Sequence, residues 1–411
     1  MNVLILGSGG REHAFAYKIK QSTLCKNLYV APGNSGTREI ATNLQFQVHQ
    51  FEDIVEAIKK FEIKMVIIGP EVPLVNGLSD YISANDEIKE TIVIGPNKYA
   101  SQLEGSKDFA KEFLNRHNIP TASHKTFTAK NINDAFSYIE SMIPPYVLKA
   151  DGLAAGKGVL IIDNPNEAKN ELTEMLLNSK FGDASKSVVV EEFLDGIELS
   201  CFVLTDGKNY KLLPSAKDYK RIGEGDTGLN TGGMGAISPP PFLTKDFMRK
   251  VEKKIIQPTI DGLMKDKIIY KGFIFFGLIK VKEEPYVIEY NVRMGDPESE
   301  AVLPRIKSDL LELLYSVSKG QLNHQEVIID NKESATVFLV SGGYPEQYEK
   351  NKEIFGLDKV SDSIVFHAGA KYEEGKVKTN GGRVIAITSM GATVKEALDK
   401  SYNSIKNISF E

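Results

Sequence analysis

Apolar positions along this chain of 411 residues fall in short runs cut off by glycine or proline. NVLILG (2–7) ends at glycines and precedes a stretch of helical spacing from Arg11 to about Gln21. KMVIIGP (64–70) and TIVIGP (91–96) repeat the form of a buried strand stopped by Gly-Pro. Strands alternating with helical stretches predict a parallel α/β sheet, closing near residue 101. YASQLEGSKDFAKEFLNRHNIP (99–120) predicts a helix stopped before Pro120, with Leu103, Ala110 and Leu114 on one stripe. Lys107 falls inside that stripe. Such a lysine either snorkels to water or points into a ligand cleft.

Beyond residue 120 the pattern is mixed. YVLKA (146–150) predicts a strand leading into a glycine-rich hairpin, followed by a strand (VLIID, 159–163) and a helix over about 166–178. SVVVEEFL (187–194) starts another strand system, and FIFFGLI (273–279) with YVIEYNV (286–292) predicts a hairpin around Lys282–Pro285. KDYKR (217–221) and NTGGMGA (230–236) read as loops, and the polar stretch 318–334 as a linker. ATVFLVSGGYP, SIVFHAGAK and GGRVIAIT then supply short strands, and TVKEALDKSYNSI (393–405) a closing helix.

Composition narrows the class. Hydrophobic residues are 42% and charged residues 26%, which excludes a disordered or fibrous chain. At roughly 150 residues per domain the length calls for about two to four domains. A net charge of −5 gives no general attraction for nucleic-acid phosphate, so an anionic ligand must be met by local cations. Cys25 and Cys201 are too few and too far apart for a disulfide framework or a thiolate zinc site, which points to a reducing compartment. No apolar run reaches the ~18 residues of a membrane span, and the opening residues lack a basic leader and cleavage site. The expectation is a soluble, cytoplasmic, multidomain protein with no nucleic-acid or membrane partner.

Two glycine-rich segments carry candidate chemistry. GSGGRE (7–12) follows a strand and opens a helix, so its N–H groups could face an anion. The dinucleotide fingerprint would need glycine at position 12, where Glu12 stands, and an acidic residue after the second strand, where LYVAPGN (28–34) has none. That disfavours a dehydrogenase and leaves a tight turn as the plain alternative. KADGLAAGKG (149–158) is one residue short of phosphate-loop spacing, has Gly158 where Ser or Thr is required, and runs into a strand. It reads as a hairpin with Lys149 and Lys157 at its ends, able to close over polyphosphate and expel water, or as a surface hairpin without a ligand.

VIEYNVRMGDPE (287–298) carries the sharpest signal. Along a strand Glu289, Asn291 and Arg293 share one face, and Ile288, Tyr290 and Val292 the other, which is the core face. On the first face successive Cβ atoms lie roughly 6.5–7 Å apart, suited to two oxygen donors bracketing a magnesium ion bound to phosphates. Arg293 could then hold an anionic substrate or the transferring phosphoryl group. In EEFLDGIE (191–198) the backbone can read an adenine edge and Glu198 can bind ribose hydroxyls, a charged surface turn being the alternative. No histidine pairs with another at metal spacing, and no serine or cysteine sits in a nucleophile motif.

Ten segments, GSGGREHA (7–14), APGNSGT (31–37), GPEVPLV (69–75), LEGSK (103–107), KADGLAAGKG, EEFLDGIE, NTGGMGA, VIEYNVRMGDPE, SGGYP (341–345) and TNGGRV (379–384), occur in order across the chain. With them nearly the whole chain closely resembles the glycinamide ribonucleotide synthetase (phosphoribosylamine–glycine ligase) family, ATP-grasp enzymes of de novo purine biosynthesis. The resemblance implies an α/β architecture, α+β in its core. It comprises a Rossmann-like N-terminal domain (1–101), an ATP-grasp core (102–122 and 190–325), an inserted lid (123–189) and a small C-terminal domain (326–411).

By matching position, ATP would be held by Lys107, Lys149, the Gly152–Gly158 loop with Gly156, Lys157 and Gly158, the segment Glu191, Glu192, Phe193 and Leu194, and by Glu198, Arg221 and Asn230. Glu289 and Asn291 match the metal ligands, for Mg²⁺ or Mn²⁺. Gly10, Arg11, Glu71, Asp218, Arg293 and Asp296 would line the substrate site, with Arg383 on the 5-phosphate of phosphoribosylamine. Arg293, Asp296 and Lys157 would be the catalytic groups.

The chemistry implied is ligation of glycine to 5-phosphoribosylamine, giving glycinamide ribonucleotide, ADP and phosphate through a glycyl phosphate, in a monomer or a dimer. A formate-using or carboxylating relative, or a nucleotide-binding protein without catalysis, are the alternatives. The chain departs from the family pattern at Tyr219, where a histidine is usual, at Met294 and at Ala370. Across the wider superfamily a metal carboxylate often sits where this chain has Ile279.

Overall fold

The computed structural model describes residues 1–153 and 158–411. The chain opens with a five-stranded parallel sheet whose spatial order is Thr42–Asn43, Asn27–Pro32, the central strand Asn2–Gly7, Ile63–Ile68 and Ile92–Ile94. Both faces of the central strand are buried, and alternation sends its residues into two layers. Leu4 and Leu6 enter one core with Val66 and Ile68; Val3 and Ile5 enter the other with Met65 and Ile67.

Those layers continue into a second sheet, antiparallel, of Tyr210–Leu212, Ile197–Thr205, Gly272–Val281 and Glu284–Asn291. Ile274, Phe276 and Leu278 join the first core, Phe273 and Phe275 the second. The seam is glycine against glycine: Gly95 N–H donates to the Lys271 carbonyl at 3.1 Å, and a Cβ on Gly272 would stand 3.2 Å from the Gly95 nitrogen. The two sheets therefore share their cores rather than touching across a polar joint.

A third sheet of four antiparallel strands, in the order His124–Thr128, Ser187–Glu192, Tyr146–Ala150 and Val159–Ile162, has its own core around Leu148, Val188 and Val190. Its strand Ser187–Glu192 runs across the lid limit expected at residue 189 and pairs with lid strands along its length.

The segments KDYKR and NTGGMGA are not loops. They lie in the paired strands Lys217–Gly223 and Thr227–Ser238, an exposed ribbon that continues into the C-terminal strands Glu333–Val340, Arg383–Gly391 and Ile364–His367. Glycines hid the strand signal, yet they are required: a Cβ on Gly235 would lie 2.5 Å from the Thr336 carbonyl oxygen, and Gly233 has φ +115°.

Three further expectations change. The helix expected over 99–120 is two, Gln102–Gly105 and Lys107–Arg116, because Ser106 is extended and its side chain accepts the Phe109 N–H as an N-cap. The stretch 318–334 is no free linker: Leu322 is fully buried with Leu313 and Leu314, and its N–H donates to Asp206. SIVFHAGAK is split between Ile364–His367 and a hairpin, Ala370–Glu373 with Lys376–Thr379, turned by Glu374 and Gly375, both at positive φ.

Candidate active site

The capped start at Ser106 sets Lys107 as the first residue of its helix, where its ammonium donates to the Gly152 carbonyl at 3.1 Å. The side chain turns inward, toward Glu289, Lys149, Asp151 and Glu191, and does not snorkel out to water. Lys149, on the strand Tyr146–Ala150 and only 6% exposed, meets Glu191 at 3.0 Å and donates to the Ile288 carbonyl at 3.3 Å. Lys111 meets the same Glu191 oxygen at 3.1 Å and donates to the Thr121 hydroxyl at 2.7 Å. Burial pushes the Lys111 ammonium down to about 8, with Glu191 opposing. Lys111 was not foreseen, although it sits four residues after Lys107 and so on the same helical face.

The Ile288 carbonyl reaches Lys149 because the strand carries a bulge. Gly277 pairs with Glu289 but Leu278 with Val287, which leaves Ile288 as the extra residue. This corrects the expected core face: Val287, Tyr290 and Val292 are the buried set, and Ile288 is only half-buried outside it. Beyond the bulge Glu289 and Asn291 share the face opposite Tyr290, and Gly277 makes room, since a Cβ there would lie 2.9 Å from Glu289 Cγ.

Among the described residues the Glu289 carboxylate makes no hydrogen bond or ion pair. The surrounding protein would push its carboxyl up, but Lys220, Lys149, Lys107 and Arg293 together hold it below the usual carboxylate range. No group of three His, Cys, Asp or Glu able to hold a metal occurs among the described residues. The donor set here is two hard oxygens, one charged and otherwise unengaged, which fits Mg²⁺ or Mn²⁺ completed by phosphate and water. Ile279, at the position where the wider pattern would call for a further carboxylate, is buried and pairs across the sheet with Glu198.

The segment Glu191–Leu194 carries the chain from the lid sheet to the strand Ile197–Thr205 of the second sheet; Glu192 accepts from the Ser123 N–H at 2.8 Å, and Phe193 is exposed. Glu198 faces the ribbon, where the Lys220 ammonium lies 3.0 Å from Glu198 and 3.8 Å from Asp218. Burial, partly offset by Lys220, pushes the Asp218 carboxyl up, and burial and Asp218 push Glu298 up to about 7. Lys220, two residues after Asp218, would have been legible had the strand been recognised. Arg221 and Asn230 are cross-strand partners further along the exposed ribbon, with Arg221 donating to the Gly228 carbonyl at 2.7 Å, so neither joins the charged cluster here. Gly158 accepts the Ala150 N–H at 2.8 Å; Gly156 and Lys157 lie outside the described residues.

A second cluster lies at the start of the helix Gly10–Lys20. Glu12 folds back so that its carboxylate accepts the Gly9 N–H at 2.6 Å. Cβ atoms on Gly7, Gly9 and Gly69 would fall 2.5, 3.0 and 2.0 Å from it. These glycines form a cradle for the Glu12 carboxylate, which takes the Gly9 N–H that an anion at this helix start would otherwise meet. Arg11 meets Glu12 at 2.6 Å and donates to the Met294 carbonyl at 3.1 Å. Asp296 accepts the Arg11 backbone N–H at 3.3 Å and meets Arg383 at 2.7 Å. Arg383 also donates to the carbonyls of Gly232, Gly233 and Asp296.

Arg293 stands between the clusters. It meets Glu104 at 2.7 Å and Glu71 at 3.5 Å, and Glu104 also accepts the Val292 N–H at 2.8 Å. Glu104 was overlooked inside LEGSK. Burial alone would raise the Glu71 carboxyl, but Arg293 and Arg11 bring it below the usual range, whereas Glu104, more deeply placed, stays above it despite Arg293.

Three family models match: phosphoribosylglycinamide synthetase N domain over residues 1–104, its ATP-grasp (A) domain over 105–299, and its C domain over 334–411. The phosphoribosylamine–glycine ligase of Yersinia pestis is 43% identical over 417 residues, covering 100% of this chain and 96% of that one. The bifunctional purine biosynthetic protein PUR2,5 of Pichia angusta is 44% identical, and this chain spans 52% of its length. The crystal structure of phosphoribosylamine–glycine ligase from Thermotoga maritima superposes with a TM-score of 0.87 at 34% identity, covering 100% of this chain and 98% of that one. A biotin carboxylase domain from Hydrogenobacter thermophilus, solved with MgADP and bicarbonate, shares the fold at a TM-score of 0.74 and 16% identity.

Proposed function

The chain belongs to the phosphoribosylglycinamide synthetase family, and from that premise we propose that it uses ATP to join glycine to 5-phosphoribosylamine, releasing glycinamide ribonucleotide, ADP and phosphate. The observation that carries the reading is the unengaged Glu289 carboxylate facing Lys107, Lys149, Lys220 and Arg293. Arg293 links that group to the Arg11–Asp296 cluster.

An amine cannot expel oxide from the glycine carboxylate at neutral pH. Phosphorylation of one carboxylate oxygen by the γ-phosphoryl of ATP makes phosphate the leaving group, and the neutral amine of phosphoribosylamine then displaces it. In this reading Lys107 and Lys149 meet the phosphates, Arg293 follows the charge that moves from nucleotide to acyl phosphate, and Arg11, Glu71 and Asp296 orient the amine substrate. Glu289 and Asn291 would hold Mg²⁺ or Mn²⁺, which when bound supplies neutralising charge to the phosphates. The lid sheet, carrying Lys149 and Glu191, keeps water from the acyl phosphate.

ADP release measured with glycine and phosphoribosylamine omitted in turn tests the proposal. Stoichiometric ADP in the complete mixture alone is the expected result. Turnover with bicarbonate or formate in place of glycine would assign the chain to another reaction, and nucleotide binding without any turnover would make it a binding protein.

A further inference from the structure

One acid beside the second cluster has no part in the scheme above. Glu300, in the short helix Glu298–Val302, is completely buried four residues after Asp296. Neither carboxyl oxygen has a hydrogen-bond partner among the described residues. A Cβ on Gly10 would stand 2.1 Å from Glu300 Oε1, so the head group presses directly on the first turn of the helix Gly10–Lys20. Three charged groups face it: Asp296 from the preceding loop, Arg383 from the strand Arg383–Gly391, and Arg11 from the helix. Arg383 and the Arg11 backbone are already engaged by Asp296, at 2.7 and 3.3 Å. An ionised Glu300 would thus be a second carboxylate next to Asp296, desolvated and helped by no side-chain donor, only by its own backbone N–H, a state that costs more than the neutral acid.

We propose that Glu300 is a positioning residue, kept as a neutral carboxylic acid so that Asp296 alone holds Arg383 and the Arg11 backbone in the geometry of the phosphoribosylamine site. The positioning half rests on the ligase reading; the protonation half does not. Burial, reinforced by Asp296, pushes the Glu300 carboxyl well up, and Arg383, the Glu300 backbone N–H and Arg11 only partly oppose this. The native chain therefore keeps a proton that the unfolded chain releases above the ordinary 4.5, and the stability this proton brings is whole at low pH and lost as pH rises.

Glu300→Gln keeps the shape and a donor while removing the titration. Urea unfolding of the wild type and this variant from about pH 5 upward is expected to show the wild-type folding constant falling relative to the variant, by about tenfold per pH unit for as long as the native acid keeps its proton. Parallel curves would overturn the protonation. A protonated-acid C=O stretch in ¹³C-glutamate-labelled wild type that the variant lacks is the second expected result, and its absence would count against the proposal equally. Glu300→Leu gives the same subtraction if the amide does not fit.

For positioning, KM for phosphoribosylamine is expected to climb about tenfold per pH unit in the wild type once Glu300 ionises, with kcat unchanged. In Glu300→Gln it should follow only the substrate's own titration. Parallel KM profiles with the protonation established would reduce Glu300 to a structural acid. If neither protein makes ADP from glycine and phosphoribosylamine, the ligase reading and the positioning half fall together, while the unfolding and infrared results still decide the proton.

Discussion

The two charged clusters differ in how much of their electrostatics is settled within the protein. Around Glu289 the cations come from different elements, Lys107 from a helix start, Lys149 from the lid sheet and Lys220 from the exposed ribbon; Lys149 and Lys220 are paired with Glu191 and Glu198, but the Glu289 carboxylate is bonded to none of the three among the described residues. Around Asp296 the charges are paired: Arg383 with Asp296, Arg11 with Glu12, and Arg293 with Glu104. On the ligase reading the first would be completed by a polyphosphate and its cation, whereas the second is largely preorganised by pairing within the protein.

That contrast can be broken most sharply at Glu289. Glu289→Gln should leave the circular dichroism and melting curve intact while lowering kcat about a thousandfold, the scale of a group that meets charge only as it develops. Near-normal turnover would mean that the open cluster is not where the phosphoryl moves. Next in size is Glu104→Gln, which should free Arg293 and cost about a hundredfold in kcat/KM, the effect of a misplaced reacting group. An unaltered kcat/KM would show that Arg293 needs no such anchor.

Arg383→Lys keeps the charge but loses the fork that reaches three carbonyls and Asp296. It should raise KM for phosphoribosylamine about tenfold and lower Tm; an unchanged KM would place the phosphate elsewhere. Smallest is an acid effect on the paired side. His13 and His367 are buried, His13 accepting the His367 N–H at 2.8 Å and His367 meeting the Ser35 hydroxyl at 2.7 Å. Burial pushes them down to about 3 and about 4, so the unfolded chain takes up protons below its ordinary 6.5 that the native chain refuses. The stability they contribute is whole above that pH and falls as pH drops. His13→Asn should spare about 1 kcal/mol of that loss by pH ~5.5, read from urea midpoints.

Much of this was legible along the chain. The buried strands before Gly7, Gly69 and Gly95, the hairpin that carries Glu289 and the ordered motifs gave the parallel sheet, the family and most of the candidate residues. What stayed hidden has physical causes. The glycines of NTGGMGA erased a strand signal because they serve close approach to Thr336 and Pro297, not a turn. Ser106 broke a continuous helical pattern by a capping bond that periodicity does not register.

Sequence by itself determined most of the local elements and which residues carry charge, because side-chain period and turn chemistry act over a few neighbours. Tertiary structure alone decided what each charge meets. Lys149 and Lys111 converge on Glu191 from a lid strand and a helix, Glu12 lies in a cradle of glycines from two strand ends, and a bulge at Ile288 turns its carbonyl to Lys149. Burial and partner distance fix whether a carboxyl is ionised or neutral, and both are sums over atoms hundreds of positions apart in the chain, which no window of sequence contains.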